Sequence, residues 1–142
     1  LTTAQLYALL RLRVEVFVIE QESLYQELDG LDLEQGTRHF WVDSPNPEDG
    51  PMAYVRLLPE DETTFRIGRM CVAESARGRG IARRLAEATL AEVADYDCVL
   101  DAQVEAAELY AQFGFQRVGE EFVEDGVPHV AMRRRSSRRA KS

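Results

Sequence analysis

The densest chemistry in the sequence is Arg69-Met70-Cys71-Val72-Ala73-Glu74-Ser75-Ala76-Arg77-Gly78-Arg79-Gly80-Ile81-Ala82-Arg83-Arg84-Leu85. A strand-like apolar run ends at Val72, and a helical pattern begins near Gly80. Between them, Gly78 and Gly80 let the backbone turn tightly and present successive N–H groups with no side chain in front. Those amides stand at a helix N-terminus, where the dipole adds a positive field. Arg77, Arg79, Arg83 and Arg84 surround the turn with positive charge. Such a turn suits a pyrophosphate, each charge-assisted hydrogen bond contributing about 1.5–3 kcal/mol. A dinucleotide fingerprint is excluded, because it needs Gly or Ala where Arg83 stands, and a P-loop is excluded by the lack of Gly-Lys-Ser/Thr. A plain glycine turn opening an arginine-rich helix fits the same residues, so the turn alone does not separate the two readings.

A second segment, Ala106-Ala107-Glu108-Leu109-Tyr110-Ala111-Gln112-Phe113-Gly114-Phe115, follows about 25 residues further on. In this order and spacing the pair resembles the two signature motifs of the GNAT acetyltransferase superfamily. These are Arg/Gln-x-x-Gly-x-Gly/Ala, here residues 77–82, and Tyr-x-x-x-Gly-Phe, here residues 110–115. The resemblance extends to the ElaA-like branch through Arg13, Val16-Phe17-Val18, Glu20-Gln21, Tyr25, Glu27, Asp29-Gly30, Asp32, Arg38-His39 and Glu124-Asp125-Gly126-Val127-Pro128-His129. It covers essentially the whole chain. One departure stands out: the family's first strand normally precedes the first helix, whereas Leu1 falls at or near that helix. The edge of the sheet is then formed by a strand that precedes Leu1 or is covered by another segment.

The resemblance implies the GNAT fold, an α/β arrangement (α+β in some schemes). Its central twisted sheet is mixed, mostly antiparallel, and splayed between two parallel strands, with helices on both faces. It implies direct transfer of an acetyl group from acetyl-CoA to an amine, the alternative being a module that binds or senses acyl-CoA without turnover. By position, Met70, Cys71 and Val72 would pair their backbones with the pantetheine arm, and the Cys71 N–H would polarise the thioester carbonyl. The backbone of Arg77, Gly78, Arg79, Gly80, Ile81 and Ala82 would hold the pyrophosphate, and Gln103 stands where relatives often carry Asn. Tyr110 matches the tyrosine that protonates the departing thiolate. A core aromatic on the inner face of a short helix is the other reading of that residue. An acceptor amine with a pKa of ~10.4 must lose a proton first, at a cost of roughly 4.6 kcal/mol at pH 7. Candidates for the base are Glu20, Asp32, Asp101 and His129, with Glu20 and Asp32 favoured because they lie in the acceptor-side segment. Cys71 as an acyl-carrying nucleophile is disfavoured, since no histidine stands near it in sequence.

These groups need elements to position them. Thr2 or Thr3 can cap a helix with Leu6, Leu9, Leu10 and Phe17 on one face. Strands are expected at 39–43, 52–58 and 64–72, with residues 59–63 turning the chain between the last two. A long helix over 80–94, carrying Ala82, Leu85, Ala86, Thr89 and Val93 on one face, leads to a strand at 98–103. A short helix over 105–113 and strands near 115–122 and 128–133 complete the pattern. One domain over 1–133 and a basic, disordered tail over 134–142 follow, and loss of that tail is expected to leave cosubstrate binding intact.

Composition sets the outer limits. The 142 residues are 45% hydrophobic and 30% charged, which suits one compact domain with its own core. No apolar run reaches the roughly 18 residues a membrane span needs, and no signal-peptide pattern opens the chain. Cys71 and Cys98 stand in apolar surroundings and read as buried, reduced thiols of a cytoplasmic protein. A metal site is not expected, since His39 and His129 lack ligand spacing from either cysteine. Six of the 17 basic residues crowd into 133–142; the remaining 11 face 25 acids, a net charge of −14. An acidic body disfavours nucleic acid. Seven acids and no base in residues 14–37 suggest a negative wall that attracts a cationic amine. The expected partners are therefore acetyl-CoA and a cationic amine acceptor, with homodimerisation left open.

Overall fold

The computed structural model describes residues 1–20 and 29–137, and for residues 18–20 and 47 the backbone only. Helix α1, Thr3–Arg13, starts from a reciprocal cap: Gln5 N–H donates to Thr2 Oγ1, and Thr2 N–H donates to Gln5 Oε1. It continues into a π-helical segment, Val14–Glu20. The strands are β1 (Arg38–Asp43), β2 (Pro51–Asp61), β3 (Thr64–Val72), β4 (Asp97–Gln103), β5 (Gln116–Arg117), β6 (Phe122–Glu124) and β7 (Val127–Arg134). Helix α2 covers Ile81–Glu92 and α3 covers Ala107–Ala111. No helix among the described residues is long and apolar enough to cross a membrane.

The strands form one sheet in the order β1-β2-β3-β4-β7-β5, with β6 also on β7. Every pairing is antiparallel except β3 with β4. Ala53, Val55, Leu57, Leu100, Ala102, Val130 and Met132 point to one face, where Ile81, Leu85, Leu90 and Val93 of the α2 region cover them together with Ala107 of α3. Tyr54 and Cys71 point to the other face, beneath Leu9, Leu12 and Val16. Alternation along the strands thus gives each face its own helical cover.

Two irregularities decide where the site lies. In β3, Gly68 stands opposite Arg56 while Cys71 stands opposite Tyr54, so β3 spends one more residue than β2 over the same stretch. The excess sits at Arg69, which has a positive φ of 56°. Such a bulge bends its strand. Accordingly β3 pairs with β4 only through Thr64, Phe65 and Arg66 against Asp97, Cys98 and Val99, and the two strands then part.

Several boundaries differ from the sequence reading. β2 runs through Pro59 to Asp61, where a turn was expected from residue 59; beyond Leu57 it has no β1 partner, a position that tolerates a residue lacking an N–H. The expected strand at 115–122 is two, because residues 117–122 span only 132–129 of β7 and bulge outward, with Gly119 at φ 84°. The buried stripe of α2 is Ile81, Leu85, Thr89 and Leu90, with Ala82 and Ala86 only half-buried. In α3, Leu109 is exposed rather than packed. The packed chain also extends past residue 133. Arg134 belongs to β7 and its Nε donates to the Phe113 carbonyl at 2.9 Å; Ser136 N–H donates to buried Asp97 at 2.8 Å, and Ser137 N–H to the Ala94 carbonyl at 2.8 Å. These partners lie far back in the sequence and carry no local signal, and residues 138–142 fall outside the described part.

Candidate active site

The parting of β3 and β4 leaves a wedge whose margins are Ile67–Val72 on one side and Leu100–Gln103 on the other. Met70 and Val72 pack towards the α2 face, and Cys71 towards the α1 face. Gln103 ends the opposite margin, exposed. The wedge brings together the β3 and β4 residues expected to hold the cosubstrate arm.

Its β3 margin runs directly into the glycine turn. Gly78 and Gly80 take φ 79° and 72°, and Gly80 is the N-cap of α2 with no side-chain cap. The amides of Gly78, Arg79, Gly80, Ile81 and Ala82 donate to no carbonyl or side chain among the described residues. A Cβ on either glycine would meet nothing within 4 Å, so the space before the loop is open. Arg77 Nε is tied to the Val72 carbonyl at 3.2 Å, and Arg79 to the Ser75 carbonyl at 3.2 Å. Arg83 reaches across to Gln112 of the next helical region at 3.2 Å and lies over the Phe113 ring. Open amides and the N-terminus of a helix dipole face open space, which fits an anionic phosphate group.

Tyr110 lies on α3, half-buried, with its ring edge-on to Phe115 at 6.0 Å. Burial raises its phenol above the ordinary value, so it is protonated at neutral pH. Gly114, at φ 92°, ends the helix and lets Phe115 N–H return to the Tyr110 carbonyl at 3.2 Å.

The base candidates separate. Asp32 is not available: its Oδ1 accepts from Arg13 Nη1 at 2.5 Å and from Arg56 Nη1 at 3.3 Å, and its side chain is 9% exposed. Its carboxylate is shared by two buried guanidinium groups, an arrangement that suits a structural role. Asp101 is paired with Arg66 at 3.3 Å. The side chain of Glu20, and all of Glu22, Tyr25 and Glu27, lie outside the described residues. His129 is half-buried on β7, directly opposite Gln103.

Around Asp32 stands a cluster that sequence reasoning did not assemble. Arg56 donates twice to Asp29, at 2.9 Å each, and Arg69 donates to the same carboxylate at 3.3 Å. Burial works against the Asp29 charge, but the Arg56 hydrogen bond, the Leu31 N–H and the two arginine charges outweigh it and hold its pKa at about 2. The Tyr54 hydroxyl, kept protonated by burial, donates to His39 Nδ1 at 2.6 Å, and His39 Nε2–H donates to the Asp32 carbonyl at 3.1 Å. Of the seven acids in residues 14–37, Asp29 and Asp32 meet Arg13, Arg56 and Arg69. A charged residue at Arg56, in the otherwise apolar run 52–58, was the available signal.

Both cysteines are buried and neither is in a disulfide, and burial pushes the Cys98 thiol up to about 11, which leaves it inert. Among the described residues no cluster of three or more metal-binding side chains occurs.

The model of the Acetyltransferase (GNAT) domain matches residues 6–136, and the chain belongs to that family of acyltransferases. Its place within the family is the ElaA-like branch. It is 39% identical to Protein ElaA of Escherichia coli over 94% of this chain and 90% of that one, and 53% identical to a UPF0039 protein of Mycobacterium tuberculosis over 93% and 85%. The crystal structures of Escherichia coli ElaA and of an acyl-CoA N-acyltransferase from Pseudomonas aeruginosa each superpose with a TM-score of 0.85 at 39% identity, covering 94% of this chain and 92% of theirs.

Proposed function

We propose that this acyltransferase moves an acetyl group from acetyl-CoA directly to an amine. The observation that carries the reading is the wedge between β3 and β4 running onto the Gly78–Gly80 turn at the start of α2. In this reading the backbone of Met70, Cys71 and Val72 pairs with the pantetheine arm along the β3 margin, with Gln103 on the other side. The Cys71 N–H stabilises the charge that develops on the thioester oxygen. The amides of Gly78 to Ala82, with Arg77 and Arg79, hold the pyrophosphate. Tyr110 keeps its proton until the C–S bond lengthens and the sulfur beside it gains charge, then donates it. The solved relative described as an acyl-CoA N-acyltransferase supports the choice of cosubstrate. Buried Cys71 and Cys98, with no disulfide between them, suit a reducing, cytoplasmic setting.

The acceptor is proposed as an amine without a commitment to high positive charge, because Asp29 and Asp32 are matched by arginines. The test is an acetylation screen across polyamines, amino acids, aminoglycosides and peptides, reading the free thiol of CoA. Turnover with any amine supports the reading. Tight acetyl-CoA binding without turnover on any of them would make the chain an acyl-CoA-binding module instead.

A further inference from the structure

Amine transfer needs a group that takes the ammonium proton, and the two aspartates among the base candidates are engaged: Asp32 by Arg13 and Arg56, Asp101 by Arg66. His39 has both ring nitrogens occupied. His129 differs. Its Nδ1 lies 2.7 Å from the Val127 carbonyl, an acceptor that requires the proton to be on Nδ1. In the neutral ring Nε2 then carries the lone pair. Glu124 Oε2 lies 4.0 Å from it, beyond hydrogen-bond reach, and no described residue hydrogen-bonds to it. The ring is stacked on Phe122 at 5.9 Å with an interplanar angle of 23°, which fixes its plane.

Its position in the sheet points the same way. His129 is paired with Gln103, so their Cα atoms are about 4.5–5.5 Å apart and their side chains share a face. Val130 and Met132 are buried under α2 and α3, which places His129, Asp101 and Gln103 on the opposite face, where Cys71 also points. Tyr110 approaches from the α3 face. Proton acceptor and proton donor thus flank the wedge on opposite sides, one where an amine would enter and one where a thiolate would leave.

We propose that His129 is the general base of the reaction, an inference that rests on the acetyl-transfer reading above. Nε2 takes a proton from R–NH3⁺, directly or through one water, and frees the nitrogen lone pair. That pair attacks the thioester carbonyl carbon, forming the C–N bond. As the C–S bond breaks, its electrons go to sulfur, which takes the Tyr110 proton. The remaining extra N–H proton of the new amide restores Tyr110 through water, and His129 returns its proton to solvent, so one proton is released per turnover.

The test uses His129→Asn, whose amide can still donate to the Val127 carbonyl but cannot accept a proton, with His129→Gln as a second variant should the first not fold. Turnover is followed with a strongly basic primary alkylamine and with hydroxylamine, which is already neutral at pH 7; acetyl-CoA-dependent thermal stabilisation checks fold and cosubstrate site. The expected result is a loss of about 10²-fold or more with the alkylamine, less than 10-fold with hydroxylamine, and an unchanged thermal response. A loss within a few-fold for the alkylamine, or an equal loss for both acceptors, overturns the assignment. If the parent protein acetylates neither these nor any amine of the wider screen, it is the acetyl-transfer reading that fails.

Discussion

The two walls of the wedge are built in different ways. The cosubstrate wall is local: the glycine turn, the start of α2 and the Tyr110 helix come from two short contiguous stretches whose backbone conformations follow from Gly78, Gly80 and Gly114. The wall on the α1 face is assembled from Arg13, Asp29, Asp32, His39, Tyr54, Arg56 and Arg69, which meet only when the sheet and α1 come together. The local wall leaves its donor groups open; the distant one bonds its groups to one another. On the proposed function the first receives the cosubstrate, and the second holds a shape. Damage to the first should therefore remove binding or rate at constant stability, and damage to the second should remove stability.

The sharpest tests lie on the chemistry and on the locked cluster. Tyr110→Phe keeps the ring against Phe115, so melting temperature and acetyl-CoA affinity should change little, while the rate falls about 10²–10⁴-fold in kcat and kcat/KM together. Turnover within a few-fold of the parent would make Tyr110 a packing residue. Asp32→Ala leaves Arg13 and Arg56 facing each other in the interior, and denaturant unfolding should register a loss of about 3–5 kcal/mol. If that variant kept its stability and lost only rate, Asp32 would be part of the reaction after all.

Smaller effects sharpen the same contrast. Gly80→Glu introduces a side chain at positive φ and a negative charge before the turn. It should abolish the thermal stabilisation by acetyl-CoA, about 2.7 kcal/mol at a hundredfold excess over Kd, in a protein that still folds. Asp29 has a folded pKa near 2 against an ordinary 3.8. Its contribution is therefore complete above about pH 4 and is lost as pH falls from 3.8 through about 2, by roughly 2 kcal/mol. Asp29→Asn should flatten that part of an acid-unfolding curve. The mildest change is at the C-terminus. Ending the chain after Ser137 should alter stability by less than about 1 kcal/mol. Ending it after Arg133 also removes the Arg134–Phe113 and Ser136–Asp97 hydrogen bonds, with an expected cost of about 1–3 kcal/mol. Equal melting temperatures for the two truncations would show that the docked segment contributes nothing.

What could be read from the sequence follows the same division. The glycine turn and the Tyr110 segment were legible because the conformations they need depend on residue type within a few positions: positive φ at glycine, a helix beginning after Gly80, and a helix ending at Gly114. The main strands were placed to within a few residues because alternation is a local signal. The ion pairs of Asp32 were not legible, because a carboxylate in a loop looks free until its partners are known, and Arg13 and Arg56 lie 19 and 24 residues away. The arginines that match Asp29 and Asp32 come from α1, β2 and β3, and no local pattern in residues 14–37 announces them.

By itself, then, the sequence determined the family resemblance, the glycine turn and the candidate proton donor, since each resides in short-range backbone rules. Only the tertiary structure decided which charges were consumed and which remained open. A polar group's availability depends on what the fold brings within about 3 Å of it, and pairing across a sheet brings together residues with no regular sequence separation. That is why Asp32 is fixed in place while His129, held through Nδ1, keeps an open nitrogen on the strand beside the wedge.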